Sequence, residues 1–244
     1  NKKKIILFFS SFDPLSLKYL IKKNFRFHKI ASSEVVNFKL MKYLNNKKYK
    51  VFLSTGMSDL EDVKLAYKNL KKSQLVIMQC TSLYPTSEKD VDLNVLKTFK
   101  KEFKNVELGL SDHTLNDISA ITSVGMGVKY FEKHITLNKR SKGPDHFYAY
   151  EPKEFKRYVK NIHLAFDSLG STIKKIHPEV RKVARLKGIY SKFTMKKGHI
   201  LSKKDFFFNS PAIGLRDKEA KLILGKKVIT IIPKNKPLKL KYFK

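Results

Sequence analysis

Six short β-branched or aromatic runs punctuate this chain: IILFFSS (5–11), FHKIASSE (27–34), KVFLSTG (50–56), LVIMQCTS (75–82), VELGLSDH (106–113) and VKYFEKH (128–134). Their starts fall 22 to 31 residues apart, each run ends in small or polar residues, and helical apolar spacing fills the gaps. Strand and helix alternating at this repeat predict a parallel sheet with helical crossovers, because parallel neighbours need a connection that spans the sheet. LVIMQC is apolar without alternation, which suits a strand covered on both faces. After SDLED the crossover helix is marked by Leu60, Val63, Leu65 and Leu70, with Ser58 as its expected cap and acids in its first turn. A closed barrel of this kind needs eight units. Six are present, so the fold class expected is α/β, a partial (β/α)8 TIM barrel comprising about strands 3–8. An open doubly wound sheet satisfies the same periodicity, but no GxGxxG loop supports it.

The helix EPKEFKRYVKNIHLAFDSLG closes this region, with Gly170 as its expected C-cap. The barrel is therefore assigned to 1–170. Residues 171–186 are polar, carry Pro178 and read as a linker. From 187 to 244 the chain breaks into short strand-like pieces separated by Gly, Pro and Lys turns, which predicts a small, mostly β second domain. The opening NKKKIILFF has an apolar core too short for a signal peptide. It starts at Asn directly before a strand, and is read as entering the barrel after its first two units.

The formal charge of +31 points first to a polyanion partner. The kind of basic residue argues otherwise, since 46 of the 52 are lysines spread over every polar face. Nucleic-acid interfaces favour arginine, whose fork matches phosphate and guanine. Nucleic acid is accordingly not the expected partner, although an anionic substrate gains from the field. A single cysteine, Cys80, rules out an intrachain disulfide framework and fits a reducing, cytoplasmic setting; it reads as a core residue with no base beside it. No apolar run approaches the roughly 20 residues needed to span a bilayer, so no membrane partner is expected.

The chemistry concentrates at the ends of the runs. His113 and His134 each close one, 21 residues apart, about one strand–helix–strand step. On neighbouring strands both imidazoles reach the same open end, where such barrels keep their active sites. Two imidazoles with open positions describe a catalytic rather than a structural metal site; alternatively, each is an ordinary polar strand end. The other runs end in Ser10, in Lys29, Ser32 and Glu34, in Ser54 and Thr55, in Ser82 and Tyr84, and in Ser111, with Glu132 preceding His134. Hydroxyls and amides around a lysine suit a phosphate or carboxylate. His28, His163, His177 and His199 receive no role.

Taken in order, KIASSE, STGM, CTSLYPT, GLSDHT, EKH and GPDH resemble the sialic acid synthase family, which makes nonulosonic acids such as N-acetylneuraminate, legionaminate or pseudaminate. KKGHILSKKDF and SPAIGL resemble that family's C-terminal antifreeze-like domain, assigned here to 187–244. The resemblance implies condensation of phosphoenolpyruvate with an N-acylated amino sugar such as N-acetylmannosamine, with release of phosphate. It implies a divalent cation on His113 and His134, manganese in the first place, with magnesium or cobalt as alternatives. Ser10, Lys29, Ser32, Ser54, Ser82 and Ser111 match positions that hold phosphoenolpyruvate, Ser82 standing where the family has asparagine. Glu34 matches a proton-transfer position, and Tyr84 and Asp145 match sugar-contacting positions. Ser210 stands where many members carry an arginine that reaches the partner subunit, and a domain-swapped homodimer is the implied assembly. Two further readings are a non-catalytic fragment or basic polyanion-binding module, and another phosphoenolpyruvate-dependent aldol-type synthase.

Overall fold

The computed structural model describes residues 5–183 and 186–244. The chain divides after Gly170 into two compact units. In the first, strands and helices alternate: β1 (Phe9–Ser10), α1 (Pro14–Lys22), β2 (Phe27–Ile30), α2 (Phe38–Leu44), β3 (Lys50–Ser54), α3 (Leu60–Leu70), β4 (Gln74–Cys80), α4 (Val95–Glu102), β5 (Glu107–Asp112), α5 (Ile118–Gly125), β6 (Val128–Lys133) and α6 (Pro152–Leu169). All six strands pair in parallel with their sequence neighbours, in the order β1-β2-β3-β4-β5-β6. A doubly wound sheet reverses direction at a switch point. This order has no reversal, so the sheet is a half-barrel and the open alternative is excluded.

Side chains alternate between the two faces of the sheet. Ile30, Val51, Leu53, Leu75, Ile77, Leu108, Leu110 and Val128 enter the large core shared with the helices. Phe52, Val76 and Met78, with Phe27 and Tyr130 against them, form a separate apolar layer on the inner face. Below it, Lys50 joins Glu107 and Tyr130 at the N-terminal end of the strands. The pairing of β5 with β6 slips by one residue, so Leu108 opposes Val128 while Gly109 opposes Tyr130. The extra residue, Lys129, brings Tyr130, Glu132 and His134 onto the inner face. Gly109 is required there, because a Cβ would lie 2.8 Å from Met78 Cγ and 3.2 Å from the Tyr130 carbonyl.

Several boundaries differ from the sequence reading. The run 5–11 yields a strand only at Phe9–Ser10, and Ile5, Ile6 and Leu7 are exposed; β1 is an edge strand paired on β2 alone. In 27–34 the strand stops at Ile30, and Ser32–Glu34 forms a 3-10 turn. Helix α3 is capped by Asp59 rather than Ser58: Asp59 is extended and its carboxylate accepts from the Asp62 amide. Leu65 is exposed, since the buried stripe is Val63, Ala66 and Leu70. Helix α6 ends as expected at Gly170, whose φ of 54° lies in the left-handed region that glycine tolerates.

The second unit contains α7 (Pro178–Val183), β7 (Gly188–Ser191), β8 (Phe206–Asn209) and α8 (Asp217–Ala220). The segment read as linker therefore holds a short helix. Pro178 opens it at the position where a missing N–H costs nothing. Residues 184 and 185 of that segment, and residues 1–4 of the opening run, lie outside the described residues. Strands β7 and β8 pair antiparallel, and isolated bridges such as Met195 with Ile232 tie in the remaining pieces. Ile189, Met195, Leu201, Ile223, Val228, Ile232 and Leu238 give this unit its own core. Among the described residues, no helix is long and apolar enough to cross a membrane.

Candidate active site

At the C-terminal ends of β2 to β6 the inner face turns from apolar to polar. Register fixes the pattern: Ser111 opposes Glu132 and Asp112 opposes Lys133, so His113 and His134 follow as the next inward pair. Their ring centroids are 5.3 Å apart. His113 is buried, and its Nδ1 lies 2.9 Å from the Thr81 carbonyl. A carbonyl only accepts, so Nδ1 carries the proton and Nε2 keeps a lone pair. His134 Nδ1 lies 3.3 Å from the Tyr148 hydroxyl and 3.7 Å from Asp145 Oδ2. Burial lowers the pKa of both imidazoles, and for His134 the neighbouring His113 adds to the effect.

Beside the histidines runs a charged and hydroxylic strip. Lys29 Nζ sits 3.2 Å from Glu132 Oε2, and Ser111 donates to Glu132 Oε1 at 2.8 Å. Ser10 opposes Lys29 in register, at the exposed edge of the sheet. Ser32 Oγ accepts from the Gly56 amide at 3.0 Å and contacts Cys80 Sγ at 3.7 Å. Ser54 Oγ is buried and has no hydrogen-bond partner among the described residues, which suits a group waiting for a ligand. Gly56 lies so close to the fourth strand that a Cβ would fall 2.4 Å from Ser82 Oγ and 2.7 Å from Cys80 Sγ. Serines from two strand ends, Ser32 and Ser82, thus close around Gly56.

An aromatic wall faces this strip. The Tyr84 ring is 4.3 Å from His113, 6.0 Å from His134 and 5.5 Å from Tyr148. Burial pushes the Tyr84 hydroxyl above its ordinary pKa. Asp145 is exposed near His134. Glu34 is half-buried on the 3-10 turn after β2, and its carboxylate accepts from Asn37 Nδ2 at 2.7 Å. Asn37 also caps α2.

Behind the histidines, on the helix side of the sheet, Asp112 and Lys133 form a fully buried ion pair at 2.9 Å. Tyr158 and Thr114 complete the hydrogen bonding of Asp112, and Lys133 also donates to the Thr114 carbonyl. The Lys133 ammonium lies 4.5 Å from the Tyr150 ring centroid. Each member of this pair directly precedes a histidine, so the pair locks the two strand ends together.

Sequence reasoning missed three of these features. Cys80 is not isolated from an imidazole: its sulfur lies 4.0 Å from His113 Nδ1, the nitrogen that carries the proton. Glu132 is the hub between Lys29 and Ser111, a role foreshadowed only by the equal spacing of Ser111 and Glu132 from their histidines. Tyr148 belongs to no strand, and no local pattern marks it.

Two neutral imidazoles with Nδ1 anchored and Nε2 without a hydrogen-bond partner among the described residues fit a divalent cation held by nitrogen donors. No group of three or more His, Cys, Asp or Glu side chains among the described residues is gathered to hold a metal. Two imidazoles would leave the other positions of such a cation to water or substrate.

The NeuB family model matches residues 1–174. An uncharacterised protein of Methanocaldococcus jannaschii is 39% identical over 232 residues, which are 91% of this chain and 68% of that protein. The N,N'-diacetyllegionaminic acid synthase of Legionella pneumophila is 34% identical over 229 residues, 90% of this chain and 64% of the enzyme. The chain thus spans about two thirds of the length of these relatives. In fold, it superposes with a TM-score of 0.83 at 21% identity on a putative spore coat polysaccharide biosynthesis protein E from Chromobacterium violaceum, covering 100% of this chain and 75% of that one.

Proposed function

Because this chain belongs to the NeuB family, we propose that it serves a nonulosonic acid synthase, condensing phosphoenolpyruvate with an N-acylated amino sugar and releasing phosphate. The observation that supports this best is the pair of neutral imidazoles, 5.3 Å apart, beside the Lys29–Glu132–Ser111 strip. A metal-nitrogen site next to an anion cradle suits the joining of an enol phosphate to an aldehyde.

In this reading His113 and His134 hold a divalent cation, manganese before magnesium or cobalt, which when bound supplies Lewis acidity to the sugar aldehyde. Lys29 meets the charge of phosphoenolpyruvate, while Ser10, Ser32, Ser54, Ser82 and Ser111 offer hydroxyls to its phosphate and carboxylate. The Gly56 amide is already taken by Ser32, so that loop stays fixed as the anion enters. C3 of the enol phosphate bonds to the aldehyde carbon, and water adds at C2. The C2–O bond to phosphorus then breaks, leaving a ketone at C2 and free phosphate. Of the two water protons, one ends on the former aldehyde oxygen and the other leaves with phosphate. Glu34 is the proton carrier of this reading, oriented by Asn37. Tyr84 and Asp145 line the sugar side. Residues 187–244 are read as the antifreeze-like domain of a swapped homodimer.

The test is phosphate release from phosphoenolpyruvate with a panel of N-acyl amino sugars and Mn2+. H113A and H134A should each abolish turnover with folding nearly intact. A fully active H113A/H134A protein sinks the reading, and tight, salt-steep nucleic-acid binding would favour the polyanion module instead.

A further inference from the structure

Tyr148 has no part in the chemistry above, yet it is buried and stands 5.1 Å, ring to ring, from His134. The two histidines are anchored differently. His113 Nδ1 meets a backbone carbonyl, which can only accept, so its tautomer is fixed outright. His134 Nδ1 meets the Tyr148 hydroxyl at 3.3 Å, and a hydroxyl can either donate or accept. If the phenol donated to Nδ1, the imidazole proton would sit on Nε2 and that nitrogen would have no lone pair to offer.

Asp145 resolves the ambiguity. Its Oδ2 lies 3.7 Å from the same Nδ1 that meets the Tyr148 hydroxyl at 3.3 Å. A carboxylate accepts and does not donate, so the phenol proton turns to Asp145 and the phenol oxygen is left to accept from Nδ1–H. We propose that Tyr148 is a positioning residue which, with Asp145 as terminal acceptor, holds His134 in the Nδ1–H tautomer and so presents its Nε2 lone pair to a divalent cation. The inference rests on the metal role of His134 given above, and it assigns Asp145 a task in the protein before any sugar binds.

The tautomer is read directly in the metal-free protein by long-range 1H–15N correlation on ring-labelled histidine, with H134A supplying the assignment. Wild type is expected to show His134 protonated at Nδ1. Y148F keeps the ring and its packing, and should shift His134 toward the Nε2–H form. Its Mn2+ affinity, measured by calorimetry, should weaken about 10- to 100-fold, the range for loss of a partner that orients a metal-binding histidine. D145N, at an exposed position that does not threaten folding, should relax the tautomer in the same direction. A wild-type His134 protonated at Nε2, or a Y148F protein unchanged in either readout, overturns the proposal. The metal reading fails differently: H113A and H134A would then bind Mn2+ as wild type does, and the tautomer alone would decide the role of Tyr148.

Discussion

Lys29 on β2 and Glu132 on β6 meet across the inner face of the sheet, Nζ to Oε2 at 3.2 Å. Three strands separate them in the hydrogen-bonded order. Four strand spacings of about 4.8 Å would hold β2 and β6 about 19 Å apart in a flat sheet, too far for the two side chains to bridge. The ion pair is therefore direct evidence that the six strands curl into an arc, and it brings the far ends of that arc into one site. It also holds the Lys29 ammonium in place, with Ser111 fixing the other carboxylate oxygen at 2.8 Å.

K29M tests this strip. The methionine keeps the buried stem and removes the charge, while Glu132 stays partly in contact with solvent, so folding should be preserved. A hydrogen bond to a charged group contributes about 1.5–3 kcal/mol. KM for phosphoenolpyruvate should therefore rise about 10- to 100-fold, with a smaller effect on KM for the sugar. A KM within about twofold of wild type would remove Lys29 from the anion site.

Gly56 offers a purely steric test. Any side chain there meets Ser82 Oγ at 2.4 Å and Cys80 Sγ at 2.7 Å, closer than real contacts allow. G56A should cost about 1–3 kcal/mol of stability by overpacking, and should disturb the Ser32 bond to the Gly56 amide, raising KM for phosphoenolpyruvate. Adding S82A removes the nearest atom and should recover part of both losses. A G56A protein with wild-type melting and kinetics would mean that the loop yields to the added methyl and that close packing at Gly56 does not shape the site.

Much of this site was legible because it is built from strands. Periodicity located β2 to β6 within a few residues, and the equal offsets of Ser111–His113 and Glu132–His134 already encoded the register that pairs them. What escaped comes from long-range approach. Cys80 looked solitary in sequence because its neighbour His113 arrives from the next strand. Tyr148 and Asp145 reach His134 from the segment after β6, where no repeat constrains direction. The cap of α3 was misjudged by one residue, since Ser58 and Asp59 are both good caps and only the extended backbone at Asp59 decides between them. Glu132 was visible as a strand end, but its partner Lys29 lies 103 positions earlier, beyond any local pattern.

His28 predicts an acid-dependent loss of stability. It is buried, its Nδ1 has no hydrogen-bond partner among the described residues, and burial lowers its pKa below the ordinary imidazole value. The unfolded chain therefore takes up the proton first as pH falls. The stability owed to the neutral form is fully present above the unfolded pKa, and is lost as pH falls from there toward the lower folded value. Urea melts of wild type between pH 7.5 and 5 should show falling stability, and H28L should fall less steeply. An identical slope in both proteins would exclude His28 as a source of the effect.

The Asp112–Lys133 pair makes the strongest energetic prediction. Both side chains are withdrawn from water, and burial pushes the Lys133 ammonium below its ordinary pKa even with its carboxylate beside it. A buried charge that loses its partner is left without compensation, at a cost of about 3–5 kcal/mol. K133M should show that loss in chemical denaturation, because it leaves the buried Asp112 without its counter-charge, held only by Thr114 and Tyr158. Neutralising the carboxylate as well, in D112N/K133M, should cost less than the two single changes added together, since the stranded charge disappears. The same variants should lower Mn2+ affinity, because the pair holds together the strand ends that precede His113 and His134. If K133M melts like wild type, or if the double variant is strictly additive, the pair does not clamp β5 to β6, and another contact must set the separation of the imidazoles.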